Sequence, residues 1–353
     1  MMILLFTKTA LTVAFLLFIV LALALDLGVF TKNNPHSIGL KEALWRTIGW
    51  VSSGLLFSIV LYFFYADSNG LSDNMSLAIY KDRFNSDFQL HGDFKRTLSA
   101  FSGEIVTQYL SGYFVEYSLS VDNLFVMMLI FTSFQVQDKL RKNILFWGVI
   151  GAIVMRCLFI FIGGLLIHKF EWILYIFGAI LIYSGIKLLV QKDKKDEKIE
   201  TEKHPVVRFA RKILPISEHS GHTRFFTREN GKFMFTGLFV VLLVVEFSDL
   251  VFAVDSVPAI FGITRDPYIV FFSNIFAILG LRSLYFLLSH SLEKLHTLKY
   301  GLSIILVYIG VKMVSESWFK LIGFTHVHNL MVLVSIILLT ILSSYFLPPQ
   351  KRL

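Results

Sequence analysis

Cysteine occurs once in the 353 residues, as Cys157, which excludes an intrachain disulfide and any cysteine-rich zinc site. Charge is scarce as well. Asp, Glu, Lys and Arg together make up 16% of the chain, where soluble domains carry about a quarter. No His-Glu-x-x-His stretch is present, and no histidine lies near the acids discussed below, which speaks against zinc-protease chemistry and a dedicated zinc site. What fills the sequence instead is apolar: 55% hydrophobic residues, 36 phenylalanines and a mean hydropathy of +0.68. The formal charge of +8 would suggest nucleic acid in a soluble domain. Here the basic residues sit mostly between apolar stretches, where they set orientation, and no nucleic-acid partner is expected.

Crossing the hydrocarbon core takes about 20 apolar residues. On that measure the sequence predicts an all-α, polytopic helical membrane protein of about nine spans, near 9–30, 44–65, 110–132, 144–167, 171–190, 234–260, 268–289, 299–316 and 327–347. The first is read as a retained helix rather than a signal peptide, because its apolar run is too long for an h-region and Asp26-Leu-Gly continues it. The chain divides into two N-terminal spans (1–65), an external loop (66–109), a first unit (110–190), a cytoplasmic loop (191–233), a second unit (234–316), and a last span with its tail (317–353). Lys and Arg crowd 31–43, 133–143, 191–232, 290–298 and the C-terminal tail, while the opposite short loops hold only Lys169, Arg265 and Lys320. That bias puts the N-terminus outside and the C-terminus inside. The mixed-charge run near the start of 191–232 reads as a solvated linker rather than a lipid-headgroup site.

Acids interrupt two of the spans. Val245 to Ala259 holds Glu246, Asp249 and Asp255 with no basic residue among them, and Val115 to Val126 holds Glu116 and Asp122. An ionisable group within a span costs about 2.5–3.5 kcal/mol on insertion scales, so it marks a functional site by default. The interval from Glu116 to Asp122 equals that from Asp249 to Asp255, and each second Asp precedes a small polar residue, Asn123 or Ser256. Arg156 and Arg282 follow in matched contexts, then Tyr183-Ser-Gly-Ile-Lys187 and Tyr308-Ile-Gly-Val-Lys312. Each unit has three spans. An odd number makes the units enter from opposite sides, so the expectation is two inverted three-helix repeats with a divided site where they meet.

At 100° per residue Glu116, Ser120 and Asn123 share one helix face, and Asp249 and Ser256 the matching face, with Glu246 a turn earlier. Asp122 and Asp255 fall about 120° away on straight helices and face a neighbouring helix, unless Pro258 breaks the second helix. Carboxylate, amide and hydroxyl oxygens suit hard or borderline cations such as manganese, magnesium or calcium. Desolvated carboxylates crowded together repel and take up protons, which a bound metal displaces, giving a route to metal/proton exchange. Arg156 and Arg282 read as counter-ions, Lys187 and Lys312 as snorkelling side chains, and Ser273-Asn274 as further oxygen donors or helix-joining polar groups. His326 and His328 read as surface residues without metal.

Ala24 to Phe30, Glu116 to Phe125, Phe146 to Arg156, Tyr175 to Ala179, Glu246 to Ala259 and Ser273 to Tyr285 resemble the TerC/Alx family of integral membrane proteins, in the expected order over about 15–316. That family is similar to LysE-type exporters. The resemblance implies manganese export and metal homeostasis, and a bacterial inner-membrane location. It also implies that Glu116, Asp122, Asn123, Glu246, Asp249, Asp255 and Ser256 form an acidic metal site, with Asp26 at a further family position. Tellurite, in the family's name, is an anion that such acids repel. The expected function is divalent-cation transport, with no resident cofactor, the metal ion as cargo and the bilayer as surroundings. A scaffold docking stress-response or secretion proteins is the second reading. An intramembrane aspartyl protease using Asp122 and Asp255 is a third, weakened because neither acid sits in Gly-x-Gly-Asp.

Overall fold

The computed structural model describes residues 8–26, 39–170, 172–190, 205–217, 224–229, 231–289 and 297–346. They form α1 (Lys8–Asp26), α2 (Leu40–Ser68), α3 (Asn74–Phe84), α4 (Phe94–Ser133), α5 (Asp138–Lys169), α6 (Ile173–Val190) and α7 (Pro205–Ile213). A hairpin of β1 (Phe226–Glu229) and β2 (Lys232–Phe235) follows, then α8 (Gly237–Phe261), α9 (Pro267–Leu279), α10 (Leu281–Ser289), α11 (Leu298–Val314), α12 (Glu316–Leu321) and α13 (His326–Phe346). Among the described residues α2, α4, α5, α6, α8 and α13 are each long and apolar enough to cross a bilayer, and α9 with α10 passes as a pair bent by 40°. The chain is therefore an all-α, polytopic membrane protein. Two shorter apolar helices, Leu11–Ala24 and Tyr300–Val314, lie at the first and eighth expected spans.

The pillar of the bundle is α4. Of its apolar window 62% is buried, against 17% for α2, so α4 meets protein where α2 meets lipid. It packs against α9, α8, α2 and α13, and α9 is buried from Ile269 through Leu279. Gly112 lets α4 and α9 close up, since a Cβ there would lie 2.8 Å from Ser273 Oγ. Phe15 of α1 sits in an aromatic group with Phe57, Phe272 and Phe276, at centroid separations of 4.7 to 5.5 Å. Pro258 lies inside α8 without ending it; the helix absorbs the lost donor and runs on to Phe261.

Small residues join α6 to α11. A Cβ on Gly178 would stand 3.0 Å from the Gly310 carbonyl oxygen, and one on Gly310 2.7 Å from the Gly178 oxygen. Likewise a Cβ on Gly185 would stand 2.9 Å from the Ser303 oxygen. Backbones packed this closely gain dispersion where lipid offers no hydrophobic drive.

The segment expected as an external loop is largely helical. Asp93 caps α4, its carboxylate accepting from Lys95 N at 3.3 Å, so the helix starts at Phe94. Its 40 residues then span about 60 Å, twice the hydrocarbon thickness. Beside it α3 opens on a capping box, Asp73 with Ser76. Asp266 ties this layer to the membrane helices: it caps α9 through Tyr268 N at 2.8 Å, with Pro267 in the first turn, and its Oδ2 accepts from Tyr80 at 2.6 Å and from Tyr65. Burial and the Asp266 carboxylate together hold the Tyr80 hydroxyl well above the ordinary phenol range, so it donates at any physiological pH. Tyr80→Phe is expected to destabilise by about 1.5–3 kcal/mol. Hydrogen exchange should rise in α3 and the N-terminal turn of α9 while α6 stays protected.

In 191–233, expected as a cytoplasmic loop, the mixed-charge run read as a solvated linker lies outside the described residues, and the described residues are folded. The stretch after α7 pairs with β2 through Ser217 N to Phe235 O and Phe235 N to Pro215 O, both 2.8 Å. Aromatic contact supplies the drive that the charged run lacks: Phe226 and Phe235 lie 5.4 Å apart and both contact Phe239 of α8.

Candidate intramembrane cation site

The acids are carried by α4 and α8, and one cation organises them. Asp249 is the middle residue of the 25-residue α8. Opposite it, Arg156 of α5 is fully buried, as is Glu116 of α4. Arg156 Nη1 donates to Glu116 Oε1, to Asn274 Oδ1 at 2.9 Å and to Ser256 Oγ at 3.3 Å, while Nη2 donates to Asp249 Oδ1 at 3.4 Å. Four oxygens from α4, α8 and α9 thus surround one guanidinium. Asn274 is oriented for this by its own Nδ2, which donates to Val270 O at 2.9 Å. Ser120, a turn below Glu116, donates to Glu116 Oε1 at 3.3 Å.

The balance is incomplete in both charge and hydrogen bonds. Two carboxylates face one guanidinium, a formal excess of one negative charge when all are ionised. Among the described residues Glu116 Oε2 and Asp249 Oδ2 are buried with no donor, and the Asn123 amide nitrogen is buried with no acceptor. A buried carboxylate oxygen without a partner is costly, and here two lie in one cluster.

The remaining expected residues separate from this group. Asp255 turns to α6, where Ser184 Oγ donates to it at 2.8 Å; six residues along a helix place it on a different face from Asp249. Half-buried Glu246 packs its carboxylate against Gly151 of α5, in space that a Cβ would fill. The backbone of Asp122 belongs to α4 and that of Asp26 ends α1, but their side chains lie outside the described residues. Among the described residues no three of His, Cys, Asp and Glu are grouped to hold a metal ion without other donors. The matched arginines differ too. Arg156 holds the acids, whereas Arg282 lies in α10, beyond the bend that divides the middle helix of the second unit.

Sequence reasoning offered Asn274 as an oxygen donor or a helix-joining group, and did not find Ser184 or Gly151. A serine in an apolar helix gives no sign of its partner, and the clue at Gly151, a glycine inside a helical run, is weak. It also missed a polar chain between the start of α13, α4 and the turn after α8. His326 Nε2 lies 3.3 Å from Asp87 Oδ2, Gln108 Nε2 donates to Glu104 at 2.7 Å, and Thr264 Oγ1 donates to Gln108 Oε1 at 2.6 Å. A cleft of about 760 Å³ opens nearby, lined by Arg83, His168 and Arg265 as well as Asp82 and Glu316, and none of the intramembrane acids reaches it.

Comparison with known proteins now decides the kinship. The model of the integral membrane protein TerC family matches residues 101–352, which contain every residue of the arginine-centred cluster. The chain belongs to the TerC family. This TerC-family protein is 40% identical over 309 residues to a Salmonella typhi protein named "Putative membrane-bound redox modulator Alx", covering 87% of this chain and 86% of the relative. It is 38% identical to "Uncharacterized membrane protein STKORF319" of Myxococcus xanthus, over 87% of this chain and 84% of that one. It is 33% identical to an uncharacterized membrane protein of Rickettsia bellii, over 91% and 92%. No solved structure matches the chain.

Proposed function

We propose that this TerC-family chain is a membrane transporter for divalent metal cations, working in manganese efflux driven by proton exchange or membrane potential, with a role in metal homeostasis and tellurite-type stress resistance. The observation that carries the reading is the set of four oxygens, from Glu116, Asp249, Ser256 and Asn274, converging on a cationic group in the apolar interior. Carboxylate, hydroxyl and amide oxygens in that mixture are the donors a hard cation takes. Arg156 then acts as a tethered stand-in: cargo enters as the guanidinium withdraws, and the unpartnered second oxygens of Glu116 and Asp249 become ligands. Asn123 of α4 and Glu246 and Asp255 of α8 add polar groups beyond the cluster, and Asp122 belongs to the same proposal by its place in α4. Protons held by these acids and released as metal arrives supply the coupling.

Inverted repeats suit this scheme, since alternating access comes from rocking one unit against the other. Their support lies at the α6–α11 contact. By the matched Tyr-x-Gly-x-Lys segments Gly185 corresponds to Gly310 and Gly178 to Ser303. The observed pairs are Gly178 with Gly310 and Gly185 with Ser303, the exchange of partners that a pseudo-two-fold axis requires. Nine spans, the N-terminus outside, the C-terminus inside and a bacterial inner-membrane location belong to the same proposal.

The name of the Salmonella typhi relative suggests redox work instead. One half-buried thiol, Cys157, cannot cycle as an intrachain disulfide, so this reading adds nothing that the acids explain. The transport reading is tested in sealed vesicles with manganese, calcium, magnesium and zinc compared at two pH values. Glu116→Gln and Asp249→Asn keep shape and remove charge, and each is expected to lower manganese flux at least about tenfold, equivalent to 1.4 kcal/mol at the barrier. Parent-like flux in both variants at normal expression would refute it.

A further inference from the structure

The folded module between α6 and α8 is placed and built to lie on lipid. α7 is strongly amphipathic: Val207 and Ala210 are buried, yet Phe209 and Ile213, four residues apart on one face, are 66% and 59% exposed. Arg208, Arg211 and Lys212 are exposed on the remaining arc. The hairpin repeats the composition. Phe226 and Phe233 stack at 5.4 Å yet remain 45% and 53% exposed, beside exposed Arg224, Arg228 and Lys232. Its one described acid, Glu229, is taken up by Ser217.

Position supplies the second argument. Thr236 caps the hairpin against the start of α8, its Oγ1 donating to Arg224 O at 2.8 Å, and Phe226 contacts Phe239 in the first turn of that spanning helix. α7 packs on the same helix and is joined to β2 through residues 215–217. The exposed phenylalanines are therefore level with the end of a membrane span, where aromatic rings settle at the headgroup boundary. Water is a poor neighbour for four large apolar side chains on so small a module, and a basic, aromatic surface at this depth matches an anionic leaflet in charge and polarity.

We propose that α7 and the β1–β2 hairpin form an interfacial anchor whose occupant is the membrane itself, with Phe209, Ile213, Phe226 and Phe233 entering the acyl boundary and the flanking arginines and lysines binding anionic phospholipid headgroups. The anchor fixes the cytoplasmic end of α8, the helix that carries Asp249, so lipid charge bears on the site without touching it.

The single cysteine makes the test direct. Full-length protein with Cys157→Ser and one new cysteine, Phe209→Cys or Phe233→Cys, is spin-labelled in nanodiscs of phosphatidylcholine alone or with about one third phosphatidylglycerol. The ratio of collision with oxygen to collision with a water-soluble nickel chelate reports depth. The expected result is a ratio about threefold higher with phosphatidylglycerol. That response should be lost in Arg208→Gln/Arg211→Gln/Lys212→Gln and kept in Arg208→Lys/Arg211→Lys. A water-like ratio in both bilayers overturns the proposal, as does an equal response in the glutamine variant. Shielding from both reagents also overturns it, because a second copy of the chain would then cover the surface.

Discussion

Arg156→Gln is expected to be among the most damaging single changes in this protein, at about 3–5 kcal/mol, because removing one partner of a buried ion cluster leaves its charges uncompensated. Glu116 and Asp249 would stay in the interior with the guanidinium gone, and Ser256 and Asn274 would each lose their donor. The effect is read as thermal stability in detergent. Pairing the change with Glu116→Gln should recover part of the loss, the non-additivity expected of groups in one network. The transport proposal adds a sharper consequence. If the guanidinium stands where cargo binds, its removal opens the oxygens to metal, and manganese should raise the melting temperature more in Arg156→Gln than in the parent. A variant as stable as the parent would show that the cluster does not hold the helices together. One that manganese fails to stabilise would separate the structural role of Arg156 from the proposed exchange.

Gly185→Leu should be comparably severe. The α6 and α11 backbones meet at Gly178, Gly185 and Gly310, and a side chain at 185 would meet Ser303 O, Val307 N and Val307 Cγ2, all within 3.0 Å. Two of those three atoms are backbone, so a rotamer change does not relieve them. Overpacking of this kind costs about 1–3 kcal/mol, and more where neighbours cannot move. Gly39→Leu is the control, since nothing lies within 4 Å of that position. Trypsin resistance of membrane-inserted protein should fall for Gly185→Leu and stay at the parent level for Gly39→Leu. If both match the parent, the α6–α11 contact is not a close seam.

By itself the sequence determined the solvent and the class, and marked which spans carry acids. Runs of apolar residues about a bilayer long admit only hydrogen-bonded helices, and carboxylates inside those runs are too expensive to be incidental. Helical geometry separated Asp255 from Asp249 but left a break at Pro258 as an alternative; the fold keeps α8 continuous and turns Asp255 to Ser184 of α6. Tertiary structure decided the partners. Nothing in the spacing of the two matched arginines says that Arg156 gathers Glu116, Asp249, Ser256 and Asn274 while Arg282 lies past a bend, since that depends on where α9 gives way to α10 at Gly280. Nor did composition reveal the module in 191–233, because its aromatics meet only once the hairpin pairs and docks on α8. Local pattern sets which way a side chain points along its own helix; which group it meets is set by helix packing, and that is decided by contacts between residues far apart in the chain.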